Sequence, residues 1–136
     1  MNNDLKKSAA ALLEACGEIT VASVNENGYP RICVVSKLKS VGFSEVYFST
    51  GTNGTKTRHF LKNPKSSVCY YKDGNSVTLI GEMTVSDDMK IKEELWQDWM
   101  IAHFVAGVND PEYCVLKFTG KEATVWIDNV FETFEC

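Results

Sequence analysis

The stretch EITVASVNENGYPRICVVSKL, residues 18–38, decides how the rest of the chain is read. β-branched residues dominate both halves, and Asn27-Gly28 separates them. Asn-Gly supplies positive φ at low steric cost, so between two such runs it is the strongest short-range hairpin signal. The spacing predicts strands at 18–25 and 30–38. Alternation along the second strand puts Arg31, Cys33, Val35 and Lys37 on one face and Ile32, Val34 and Ser36 on the other. The first face has a cation at each end of an apolar middle, roughly 20 Å apart at about 3.3 Å per residue. Two readings follow: a barrel strand with charged ends in solvent, or a platform for a long ligand with polar ends.

Upstream, Leu5, Ala9, Leu12, Leu13 and Cys16 make the stripe of an amphipathic helix, with Asn3 or Asp4 as N-cap and Gly17 as terminator. Downstream, EVYFST (45–50) reads as a strand, TKTRHFLKN (55–63) as a short helix stopped by Pro64, and 66–72 and 76–86 as strands. The turn Lys72-Asp73-Gly74-Asn75 joins the last two. Asp87 or Asp88 then caps a second long helix, with Ile91, Leu95, Trp99 and Ala102 on its apolar side and Trp96 and Met100 widening it. Strands at 113–118 and 122–127 close the pattern, followed by an acidic tail from Asn129 to Cys136. Five to seven short strands with few helices between them indicate a mainly β, antiparallel barrel with flanking helices, in a single domain over 1–136.

Composition narrows the function classes. The chain has 136 residues, 44% of them hydrophobic, and a net charge of −4, which argues against a nucleic-acid partner. No apolar run is long enough to span a bilayer, and the opening residues lack a signal-peptide pattern, so a cytoplasmic location is expected. The five cysteines are scattered without a C-x-x-C pair, so neither a disulfide framework nor a zinc site is expected, and most should be small buried hydrophobes.

The most informative stretch for chemistry is Ser49-Thr50-Gly51-Thr52-Asn53-Gly54-Thr55-Lys56-Thr57-Arg58. A strand ends, a glycine-containing loop follows, and a helix opens with hydroxyls and two cations. Helix N-termini carry partial positive charge, so cations there are unfavourable alone and fit better around an anion. A phosphate would take N–H bonds, hydroxyl bonds from Thr50 or Thr55, and a charge-assisted bond from Lys56. The spacing is not that of a Walker loop. A solvated surface loop with no ligand is the competing reading.

Together, and in this order, "VNENGYPRICVVS", "VYFSTGTNGTKTRHFLKNPKSSVCYY" and "LWQDWMIAHFVAGVNDPEYCVLKFTGKEATVWID" resemble the pyridoxamine-phosphate-oxidase-like family of FMN-binding split barrels, in particular its general stress protein branch. The resemblance covers nearly the whole chain. It implies an antiparallel split barrel, FMN as cofactor, and a homodimer with the flavin at the interface. It assigns the flavin-binding strand to Arg31, Ile32, Cys33, Val34, Val35 and Ser36, with main-chain groups around Cys33 to Val35 on the ring edge. The aromatic-Thr pair falls on Phe48-Ser49-Thr50, giving Ser49 and Thr50 as contacts, and the phosphate element on Thr55 and Lys56. Trp99 or Trp126 closes the pocket, or else packs in the core or dimer. Ser76 stands where the oxidases often have a flavin-facing Gln.

The tail Asn129–Cys136 lacks the arginine and paired basic residues with which true pyridoxamine phosphate oxidases hold their substrate, so vitamin B6 synthesis is not expected. The expectation is an FMN-dependent oxidoreductase served by a small-molecule electron donor, or a flavin carrier, linked to stress response. The alternatives are a flavin sensor or sink without turnover, and a split-barrel protein that binds haem or a protein partner. His59 and His103 are unpaired in the sequence and identify neither a catalyst nor a metal site.

Overall fold

β1 (Glu18–Val24) and β2 (Pro30–Val41) form the hairpin that Asn27-Gly28 signals, in antiparallel register from Val24 opposite Pro30 to Glu18 opposite Ser36. The turn is longer than two residues. The Asn25 side-chain oxygen accepts from the N–H groups of Asn27 and Tyr29, and Gly28 takes φ +82°. The computed structural model describes residues 2–136.

The remaining strands are β3 (Glu45–Gly51), β4 (Lys65–Lys72), β5 (Asn75–Ser86), β6 (Tyr113–Ile127) and β7 (Val130–Glu135). All pairings are antiparallel, in the order β3-β2-β1-β4-β5-β6-β7. Because β3 also pairs with β6, six strands close into a barrel and β7 hangs on the outside of β6. Closure removes most of the open edge that would otherwise invite aggregation. The core is the inner face of these strands, with Ile19, Val21, Val46, Phe48, Leu79 and Phe118 all buried. Helix α1 (Asn2–Ala15) adds Ala9 and Leu13 to it.

Several expectations need correction. Asn3 and Asp4 lie inside the first turn of α1 rather than capping it, because the helix begins at Asn2. The long second helix is broken: α3 (Met89–Leu95) is capped by Asp88, whose carboxylate accepts from Lys90 N–H, and the chain then turns extended at Trp96 and resumes as a 3-10 turn over Asp98–Ala102. Tertiary packing stops it. Trp96 stacks edge-on against Tyr113 at 5.6 Å, and Gln97 donates to the Leu38 carbonyl of β2. The expected apolar side holds for Ile91, Leu95, Trp96 and Met100, which are buried or packed on the core, and fails for Trp99 and Ala102, which are exposed.

The last two strands are one strand, β6, and the tail is a further strand, β7. Asp128 and Asn129, at φ +50° and +67°, make the two-residue turn between Ile127 and Val130 that hairpins favour. Of the cysteines, Cys16 and Cys114 are buried, Cys33 and Cys69 are half-buried and Cys136 is exposed, so most are not core residues; all five are free thiols. No helix among the described residues is long and apolar enough to cross a membrane.

Candidate functional site: an open seam in the barrel

The β2–β3 seam is paired from Val41 opposite Glu45 to Lys37 opposite Phe48, and no further. Beyond that point β2 stays bonded to β1 through Pro30, while β3 stays bonded to β6 through Gly51 opposite Tyr113. The two strands diverge, and the β2 edge over Pro30–Ser36 is left without a strand partner. Its main-chain groups there need other partners.

A cleft of about 320 Å³ occupies the split. Val34, Val35 and Ser36 line one side, Ser49, Thr50 and Gly51 the other, and Lys56 comes from α2 (Thr55–Lys62). Trp99, His103 and Phe104 form the outer wall. Larger space lies elsewhere, in a cleft of about 480 Å³ lined by Ser23, Ser66, Ile80 and Lys121, but no buried polar atom there lacks a partner.

The loop into α2 is held from within. Thr57 Oγ1 donates to the Gly51 carbonyl at 2.7 Å, and Arg58 Nη1 donates to the Asn53 carbonyl at 3.3 Å. Gly54 is the N-cap and offers no side-chain acceptor, and the first turn contains no acid. Its first-turn N–H groups therefore have no side-chain cap. At the other face of α2, buried His59 and Ser23 share a hydrogen bond of 2.8 Å, which fixes the helix against β1.

Thr50 is the decisive side chain. It is only 5% exposed, it lines the cleft, and its hydroxyl has no hydrogen-bond partner. An unpaired buried hydroxyl costs about 1–3 kcal/mol, so an absent acceptor or donor is implied. Lys56 is half-buried, and no acid is among the residues that share the cleft with it. Opposite Thr50 on β6, burial pushes the Cys114 thiol up, which keeps it protonated and makes it a poor nucleophile. The arrangement can hold an anion at the Thr50–Lys56 end and a flat group along the unpartnered strand edge.

The sequence profile described as "pyridoxamine 5'-phosphate oxidase like" matches residues 36–134. The chain belongs to the pyridoxamine 5'-phosphate oxidase-like family. Among solved structures, a Clostridium acetobutylicum protein related to general stress protein 26 of Bacillus subtilis is similar at TM-score 0.87 and 26% identity, over 99% of this chain and 96% of that one. A pyridoxamine 5'-phosphate oxidase-related, FMN-binding protein from Nostoc punctiforme is similar at TM-score 0.70 and 14% identity, covering 95% and 93%. A haem-binding protein from Mycobacterium smegmatis shares the fold at TM-score 0.75 and 11% identity, covering 96% of this chain and 57% of that one. Curated protein sequences returned no match.

Within this pyridoxamine 5'-phosphate oxidase-like barrel, the cleft gathers Val34, Val35, Ser36, Ser49, Thr50, Lys56 and Trp99 from the expected site. Arg31, Ile32, Cys33 and Thr55 are not among its lining residues. The side-chain platform is corrected: Val35 is buried in the core and Cys33 packs against it, while Lys37 Nζ donates to the carbonyls of Leu13 and Glu14 at the end of α1. The exposed face is the opposite one, with Ile32 at 70% and Val34 at 65%. Thr55 is exposed at the start of α2. Trp99 is in the cleft wall and not in the core, its Nε1 donating to Gln97 Oε1 at 2.7 Å. Trp126 is on the outer barrel face with Phe131, 6.4 Å between rings, and Ser76 lies beside it across β5–β6. Gly51 falls in the stretch singled out for an anion, whereas sequence reading missed His103 and Phe104 as cleft residues; only their adjacency to Trp99 could have suggested them.

Proposed function

We propose that this protein binds FMN in the open β2–β3 seam and works as a flavin-dependent oxidoreductase or flavin carrier in stress response. The observation that carries the reading is the unpartnered Thr50 hydroxyl in the same cleft as Lys56, at a helix start without a side-chain cap. Thr50, Lys56 and the α2 N–H groups would hold the phosphate. The unpartnered edge of β2 over Arg31–Ser36 would meet the polar rim of the ring through main-chain groups, and Trp99 would cover a ring face. When bound, the flavin would supply the electron transfer, fed by a small-molecule donor such as a reduced nicotinamide. The protein's own share is binding, orientation and exclusion of water.

The unit we propose is a homodimer with the flavin at its interface. The outer face across β2, β1, β4 and β5 reads Val34-Thr20-Cys69-Thr78 in one row and Ile32-Ala22-Ser67-Ile80 in the next, without a charge. Ile32, Val34 and Ile80 are more than half exposed there, which suits a second copy. Five free thiols suit a reducing compartment such as the cytoplasm.

The test is to release and weigh whatever ligand the purified protein carries, then to add NADH or NADPH under anaerobic conditions. A flavin spectrum with a released mass equal to FMN supports the binding reading, and bleaching with turnover supports the oxidoreductase. Haem in its place would contradict both.

A further inference from the structure

Two residues lining the cleft bear basic groups, Lys56 and His103, and none of its lining residues is acidic. His103 is exposed and directly follows the Asp98–Ala102 turn, its ring edge-on to Trp99 at 6.1 Å. Its place along the cleft follows from its neighbours. Phe104 packs on Tyr113 at 5.1 Å between rings, and Tyr113 is the cross-strand partner of Gly51. The Thr52 N–H donates to the Glu112 carbonyl at 2.8 Å, which ties the same segment to the loop before α2. Trp99 is tethered the other way, through Gln97 to the Leu38 carbonyl of β2. Phe104 and Glu112 are therefore fixed at the Gly51 end of the cleft, and His103 joins Phe104 in sequence and Trp99 in space, between that end and the strand edge.

Lys56 lines the same cleft from α2. Asp98 is exposed on the turn that precedes His103. Both carboxylate oxygens of Asp110 are engaged, by the N–H groups of Ala106 and Glu112, and Lys92 donates to the Asp110 carbonyl at 3.4 Å.

We propose that His103 is a second, titratable contact for the anionic end of the ligand, with Lys56 the permanent one. The proposal rests on the reading of this cleft as a flavin-phosphate site. Histidine is the side chain whose charge changes between about pH 5 and 8, and its protonated ring donates from both nitrogens. Binding an anion favours the protonated form, so affinity rises as pH falls through the imidazole titration. The phosphate's own second ionisation, near about pH 6, works in the opposite direction but is common to every variant compared.

The experiment measures FMN and riboflavin affinity by fluorescence quenching at about pH 8 and about pH 5.5, on the parent, His103→Gln and His103→Lys. Relative to His103→Gln, the parent should gain roughly five- to tenfold for FMN on acidification. His103→Lys should bind FMN at the higher pH at least as tightly as the parent, without that gain. Riboflavin, which lacks the phosphate, should respond to neither substitution. Parallel pH dependences in the parent and His103→Gln would overturn the proposal, as would riboflavin following FMN. A parent that binds no FMN at either pH would overturn the cleft reading itself, and this proposal with it.

Discussion

Lys37 and Phe48 are the last cross-strand pair on the β2–β3 seam, and the barrel opens immediately beyond them. Phe48 is fully buried, whereas Lys37 leaves the strand to bind the carbonyls at the end of α1. The seam is thus closed by core packing on one side and by a helix terminus on the other. What lies past it, from Ser36 and Ser49 onward, is free to line a cleft.

Thr50→Val separates function from stability at that cleft. The hydroxyl is buried without a partner, so replacing it with a methyl should leave the ligand-free protein as stable or raise its stability by up to about 1 kcal/mol. The same change should weaken FMN binding by roughly five- to tenfold. Urea midpoints of the apo protein and a flavin titration check the two arms. A large loss of stability would mean that the hydroxyl has a structural partner.

The uncharged outer face should hold two copies together. Ile32→Asp or Ile80→Asp places a carboxylate on a row that carries none from β2 to β5, and each residue is exposed enough for the isolated chain to fold normally. Light scattering should show a dimer for the parent and a monomer for either variant at micromolar concentration. A monomeric parent would remove the interface.

Gly81→Ala tests the barrel's own tolerance. Gly81 sits at the β5–β6 register shift, and a Cβ there would overlap the Thr119 carbonyl and press on the Phe118 ring. The neighbouring backbone cannot yield as a flexible side chain would. A loss of about 2 kcal/mol or more is expected in urea unfolding, with no direct effect on the cleft.

Burial pushes the Tyr113 hydroxyl up to about 12, with the neighbouring Cys114 adding to the effect. An unfolded tyrosine titrates at about 10. Its contribution to stability is therefore intact below about pH 10 and is lost as pH rises toward about pH 12. Tyr113→Phe gives up the hydrogen bond to the Lys92 carbonyl. It should therefore be less stable at neutral pH, yet lose less stability across the alkaline window than the parent. An unchanged alkaline slope would contradict this assignment.

Much of the barrel was legible because local signals and tertiary pairing agree. Asn27-Gly28 and Asp73-Gly74 mark real hairpins, and the alternation in β1 and β5 matches their burial. The second helix misled because nothing between Asp88 and Ala106 breaks a helix by propensity; Trp96 and Gln97 break it by packing on distant residues. β7 was read as a tail because its turn, Asp128-Asn129, contains no glycine. For the site, Lys56 and Thr50 were legible as residue types at a strand-to-helix junction. The exposed face of β2 was not, since alternation gives two faces without saying which one meets the core. His103 stayed hidden because only the broken helix carries it to the cleft.

The most direct measurement is the FMN dissociation constant of the parent beside that of Lys56→Ala. Removing a charge-assisted bond from a partly buried site should weaken FMN by roughly tenfold to a hundredfold. Lys56 is half-exposed at the start of α2, so the thermal midpoint should barely move. A parent that takes up no FMN, or a Lys56→Ala protein that binds it as tightly as the parent, would contradict the account.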